Sequence, residues 1–134
     1  MLRTIVVLLL LAGFANAAKT LDIYFIDVEG GQSTLIASPS GQTLLIDTGY
    51  AGFSGRDADR IATAAKIAHV KHIDNLLITH FHNDHVGGVP NLLERLSVKA
   101  FFDHGPSVEE NGKYPERYAA SFANGAIPME CFST

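Results

Sequence analysis

The residues able to do chemistry crowd into one hexapeptide, His80–Phe81–His82–Asn83–Asp84–His85, which holds three of the chain's six histidines. It follows an apolar stretch and precedes Val86, Gly87 and Gly88. In an extended segment, side chains two positions apart point the same way, so His80 and His82 can bind one metal ion together. Asp84 and His85 follow where the chain curls toward a helix, which turns them to an adjacent position. The hexapeptide thus offers two nitrogen ligands to one ion and an oxygen and a nitrogen to a second. Zinc and other borderline divalent cations accept this mixture. Gly87 and Gly88 leave the backbone free to bend tightly behind the ligands. A histidine-rich surface loop is the bland alternative, and the cluster's place at the end of an apolar strand disfavours it.

The elements that must position this cluster follow from periodicity. Residues 21–28 (LDIYFIDV) alternate, are rich in β-formers and predict a strand. Residues 29–32 predict a turn, with Gly30 and Gly31 available for positive φ. Residues 33–37 and 43–47 predict two strands joined by a Pro- and Gly-bearing hairpin. The Leu44-Leu45-Ile46 run suggests coverage on both faces. A Gly/Ser-rich loop at 50–55 precedes a helix over 57–68, with Ile61, Ala64, Ala65 and Ala68 on one face. Residues 72–79 predict a strand running into the histidines, 88–96 a helix with Pro90 in its first turn, and 98–103 a further strand. A last helix is predicted over 114–123. Hairpin strands followed by strands alternating with helices predict an α/β (α+β) fold, a mixed sheet carrying helices on one face.

Composition narrows the function classes. The chain has 134 residues, 10 Lys+Arg against 14 Asp+Glu, a net charge of −4 and 47% hydrophobic residues. That is one domain's length and too apolar for a disordered chain. An acidic balance excludes a basic, sequence-reading nucleic-acid binder more firmly than it excludes an enzyme that cuts phosphodiesters. The lone Cys131 can form neither an internal disulfide nor a Cys-based zinc site. Arg3, an apolar run from Ile5 to Ala12 and the small residues Ala15 and Ala17 predict a signal peptide over residues 1–17. Secretion or a periplasmic location is therefore expected, with no membrane attachment after cleavage and residues 18–134 as the domain. In that oxidising setting Cys131 is expected to be buried or on a tail.

With its apolar strand before and Gly-Gly after, His80-x-His82-x-Asp84-His85 resembles the HxHxDH signature of the metallo-β-lactamase superfamily. Asp47, in Leu45-Ile46-Asp47-Thr48-Gly49, resembles that superfamily's earlier aspartate, which ends a strand and supports the metal site from behind; a cap of the following turn is its other reading. The stretch from Asp27 to Leu35 is similar to the Asp-Val-Gly-Gln-Gly-Asp opening of the branch containing the hydrolase domain of DNA-uptake competence proteins. It departs at Glu29-Gly30-Gly31-Gln32 and lacks the aspartate that follows. The resemblance runs from Leu21 to about Gly105. It implies the N-terminal half of an αββα sandwich with a dinuclear centre, usually zinc, at one sheet edge. His80 and His82 would ligate the first Zn2+, Asp84 and His85 the second. A hydroxide held between the ions and oriented by Asp84 would attack an ester, amide, thioester or phosphodiester. Zinc lowers the pKa of bound water toward ~7, which supplies that nucleophile at neutral pH.

The superfamily pattern continues with a histidine, a bridging aspartate and a last histidine, whereas His104 is the one histidine after His85. His104 reads either as a turn residue or as a pocket residue at a strand end. Two expectations follow for residues 18–134. The first is a truncated metallo-hydrolase domain, inactive as this chain alone. The second is a non-catalytic binding or assembly module, completed by a partner or by self-association through the uncovered sheet. The substrate class, small molecule or phosphodiester, stays open. The acidic balance argues against nucleic acid, and the competence-like opening argues for it.

Overall fold

The computed structural model describes residues 20–105 and 130–131. Strands β1 (Asp22–Phe25), β2 (Thr34–Ala37) and β3 (Thr43–Ile46) form an antiparallel meander. A short 3-10 turn (Phe53–Gly55) leads into helix α1 (Arg56–Ile67), and the chain returns as β4 (Ile73–Leu77), parallel to β3. Two short helices, α2 (Asn83–Val86) and α3 (Val89–Leu93), connect β4 to the parallel strand β5 (Val98–Asp103). The two-residue β6 (Glu130–Cys131) pairs with β5, so the mixed sheet reads β1-β2-β3-β4-β5-β6.

Register explains the core. Tyr24, Leu35, Leu45, Leu76 and Phe101 are aligned across five strands and so share one face. Leu35, Leu45, Leu76 and Phe101 are buried there against Ala58, Ile61 and Ala65 of α1, Val86 of α2 and Val89 and Leu92 of α3. Each of the larger of these side chains contributes roughly 1.5–3 kcal/mol over leaving it exposed. The opposite face carries Ile23, Ile36, Leu44 and Ala100 in one row and Phe25, Ile46, Leu77 and Phe102 in the other. Phe25 is 84% exposed and Leu44 and Ile46 are half-buried, so among the described residues the helices cover one face only. Among the described residues, the two-sided coverage expected of β3 is partial, with Leu45 buried and Leu44 and Ile46 half-buried.

Element boundaries moved for local reasons. β1 stops at Phe25, because the chain then turns through Glu29 at φ 61. β3 stops at Ile46, because Asp47 adopts φ 59, in the left-handed region that ends a strand. The strand predicted over 72–79 shortens to Ile73–Leu77 and the helix over 88–96 to Val89–Leu93, whereas β5 spans its predicted residues. The leader at 1–17 and the helix predicted over 114–123 lie outside the described residues. No described helix is long and apolar enough to cross a membrane.

Candidate metal centre

Parallel pairing of β3, β4 and β5 delivers their C-terminal ends to one edge of the sheet. Asp47, the segment 79–85 and Asp103–His104 all arrive there, the place where open α/β sheets bind ligands. Asp47 is fully buried and joins the first two of these. Its Oδ1 accepts the Thr79 main-chain N–H at 2.8 Å, and its Oδ2 accepts the Thr79 hydroxyl at 2.7 Å. The same Oδ2 lies 2.8 Å from His85 Nδ1. A carboxylate only accepts, so His85 donates from Nδ1, and the neutral ring in that tautomer has its lone pair on Nε2. Thr79 Oγ1 also lies 3.2 Å from His80 Nδ1. Its hydrogen is committed to Asp47, so His80 donates from Nδ1 and likewise presents Nε2. One buried carboxylate thus sets two imidazoles in the tautomer that ligates a metal.

The three rings stand together. His80 lies 3.8 Å from His85 and 4.6 Å from His82, centroid to centroid. Burial lowers the pKa of His80, the neighbouring His85 and His82 lower it further, and the carboxylates of Asp47 and Asp84 oppose the shift. His85 Nε2 lies 3.6 Å from Asp84 Oδ2, too long for a hydrogen bond. Two ligands of a tetrahedral zinc at its usual bond lengths stand roughly 3.4 Å apart, so this pair can share an ion. Histidine nitrogens with a carboxylate suit a borderline divalent cation in kind. Among the described residues, however, no three His, Cys, Asp or Glu side chains are arranged around one point.

The main chain holds Asp84 and His85 in place. α2 is one turn long and leaves their carbonyls without intrahelical partners. Thr48 takes the His85 carbonyl through both its N–H (2.7 Å) and its hydroxyl (2.9 Å). Gln32 N–H takes the Asp84 carbonyl at 3.1 Å, and Gly49 N–H in turn donates to the Gln32 carbonyl at 3.0 Å. Gly49 has φ 70, and a Cβ there would lie 2.6 Å from Asp57 Oδ2, which already accepts the Tyr50 N–H at 2.8 Å. Thr48, Thr79 and Gln32 were not singled out from the sequence. Thr79 has a local signal, a hydroxyl immediately before the first motif histidine.

Other candidates fall elsewhere. His104 is exposed and packs its ring on Phe81 at 4.9 Å, beside the cluster rather than in it. Phe81 itself is buried in the core. Tyr50 meets Phe53 edge-on at 6.0 Å. Glu29 is a turn residue paired with Arg56 at 2.8 Å. Two buried oxygens, Asn83 Oδ1 within the motif and Asp103 Oδ2 at the end of β5, have no hydrogen-bond partner, both at this edge of the sheet.

A family model described as the metallo-β-lactamase superfamily matches residues 26–129. The chain is 28% identical over 90 residues to a UPF0173 metal-dependent hydrolase of Thermodesulfovibrio yellowstonii, covering 66% of this chain and 32% of that protein. It is 35% identical over 79 residues to an atrochrysone carboxyl ACP thioesterase of a Cryptosporiopsis species, covering 58% of this chain and 24% of that protein. Among solved structures, a Cronobacter sakazakii metallo-β-lactamase (the HARLDQ-motif mutant S60) superposes with a TM-score of 0.51 at 15% identity, covering 90% of this chain and 49% of the other. The chain therefore spans about a third and about a quarter of the two curated relatives' lengths.

Proposed function

The chain belongs to the metallo-β-lactamase superfamily, and from that premise we propose that His80, His82, Asp84 and His85 hold zinc for the hydrolysis of an ester, amide or phosphodiester bond. The observation that carries the reading is the buried Asp47 carboxylate, which fixes His85 by direct contact and His80 through Thr79, leaving both Nε2 atoms free to ligate. A bound zinc ion supplies a water nucleophile at neutral pH and Lewis acidity toward the scissile group. Asp84 sits beside His85 Nε2, where its carboxylate can share an ion and orient the attacking water. Burial and the neighbouring imidazoles lower the pKa of His80, which favours the form that keeps a lone pair for a metal. Asp47 holds the ring orientations while the charge at the site changes.

We further propose two ions in the whole assembly and export by the leader at residues 1–17. With two motif donors offered to each ion, this chain by itself is expected to bind zinc without turning over substrate. Calorimetric titration of the metal-stripped chain with zinc tests the reading. Saturable binding that is lost in His82→Ala supports it, and no binding in the wild-type chain overturns it. Hydrolysis of a generic ester or phosphodiester by the zinc-loaded chain would refute its expected inactivity.

A further inference from the structure

We propose that the turn at residues 29–32 is a main-chain clamp that positions Asp84, with Gly31 its essential member; this rests on reading Asp84 as a metal ligand. The turn is held at its base by Gly31 N–H on the Val28 carbonyl (3.3 Å) and Ile26 N–H on the Ser33 carbonyl (3.0 Å). Its tip reaches α2, where Gln32 N–H takes the Asp84 carbonyl. Gly31 packs flat against the same peptide: a Cβ there would lie 2.5 Å from the Asp84 carbonyl oxygen and 3.3 Å from Asp84 Cβ. The obstructing atoms are main chain, which cannot swing aside as a long side chain can. Neither Gly30 nor Gly31 has a positive φ; that conformation falls on Glu29. Gly31 is therefore required for space against Asp84 rather than for its torsion angles.

Three features make this a positioning device rather than incidental packing. The Asp84 carbonyl, orphaned at the end of a one-turn helix, needs a donor, and the turn supplies it. The neighbouring carbonyl of His85 is captured by Thr48, and Gly49 N–H ties that segment to the Gln32 carbonyl, so the two ligands are set by two segments that brace each other. The contact from the turn is made by main chain, and the Gln32 side chain points elsewhere, to Thr34 Oγ1 at 2.9 Å. The clamp should therefore tolerate side-chain change at residue 32 but not at residue 31.

The test uses the full chain, with cobalt(II) as the probe of the ligand set and amide hydrogen exchange as a readout that needs no metal. In Gly31→Ala, exchange of the Gln32 N–H should accelerate, the visible cobalt spectrum should change, and cobalt affinity should fall on the order of tenfold or more, as when other supports of metal ligands are lost. Gln32→Ala keeps the N–H and should leave affinity and spectrum unchanged. So should Ile73→Val, a core change at the far end that lowers stability alone. A folded Gly31→Ala with unaltered spectrum, affinity and exchange overturns the proposal. If Gly31→Ala does not fold, the wild-type chain decides: cobalt must slow Gln32 exchange, because linked equilibria are reciprocal. A Gln32 amide indifferent to cobalt overturns the clamp. If the wild-type chain binds no cobalt, the metal reading falls by itself, and the clamp stands or falls on Gln32 exchange in Gly31→Ala against wild type.

Discussion

Two carboxylates bridge strands at opposite ends of the same sheet; each meets a threonine and a histidine, and only one of them also meets a lysine. Asp47, past the end of β3, is fully buried, sits at φ 59 and faces Thr79 and His85. Asp74, near the start of β4, accepts the Thr43 N–H at 2.9 Å and the Thr43 hydroxyl at 3.1 Å, while Lys99 Nζ closes on its other oxygen at 2.7 Å. His72 Nε2 also lies 3.1 Å from that oxygen, so the acceptor positions of Asp74 are filled by the β3 main chain, an exposed lysine and an imidazole. Asp47 has no lysine or arginine among those contacts; it holds His85 directly and His80 through Thr79, beside Asp84. A cavity of about 550 Å3 opens at the Asp74 end, lined by Asp22, His69, Lys71 and His72 among others, yet the convergent ligands lie at the Asp47 end. Which end does chemistry is decided by what each carboxylate leaves open, not by which end is more hollow.

The largest expected effect breaks the Asp47 end. Asp47→Ala strands the Thr79 N–H and the His85 Nδ1–H in a buried site, which costs ~2–4 kcal/mol of stability. Zinc affinity falls with it, on the order of 10–100-fold. Asp47→Asn sharpens the result, because it keeps the volume and the acceptor for the Thr79 N–H, though not for the Thr79 hydroxyl. Its amide donates to His85 Nδ1, however, and so forces the ring proton onto Nε2. Urea unfolding should then show most of the stability retained while zinc calorimetry shows the affinity lost. Retained affinity in Asp47→Asn would make both carboxylates structural and erase the distinction between the two ends.

What was legible in the sequence follows the same divide between local and distant causes. β5 could be read to the residue, because 98–103 is a run of β-formers with a turn behind it. The motif was legible because alternation places His80 and His82 on one side, and their rings do lie 4.6 Å apart. The glycines were misread. Gly87 and Gly88 adopt ordinary helical angles (φ −60 and −76), and Gly31 is not among the positive-φ residues. All three are required because another segment's main chain passes too close for a Cβ, namely that of Asp84, Ala51 and Thr48 in turn. Such contacts join residues far apart in the chain and leave no local pattern. The Asp47–Thr79 bond, which spans 32 residues, was hidden for the same reason.

At the other end, Asp74→Ala removes the partner of Thr43 and Lys99 and should lower stability by ~1–3 kcal/mol while leaving zinc affinity unchanged. The acid limb of the stability curve carries the same information. The hydrogen bond from Lys99, aided by Thr43 and opposed by partial burial, holds the Asp74 carboxyl well below the usual carboxylate range. A carboxylate with a depressed folded-state pKa stabilises fully above its unfolded pKa, and that stability drains away as pH falls below about 4. Urea midpoints measured from pH 5 down to pH 2 should therefore fall less steeply in Asp74→Asn than in the wild-type chain. Equal slopes would mean that Asp74 is not the tie that closes this end.

The smallest effect separates the two halves of that tie. Lys99 is 57% exposed, so its pairing with Asp74 is screened by water and salt, and Lys99→Met should cost only about 0.5–1 kcal/mol. The loss should shrink further in 1 M salt. Asp74→Ala should cost more and depend less on salt, because the main-chain N–H of Thr43 is the partner that solvent cannot easily replace. A double-mutant cycle between positions 74 and 99 measures the difference directly. A coupling well above 1 kcal/mol would show that the cation, not the β3 backbone, governs Asp74, and the far end would then be held by charge as much as by the sheet.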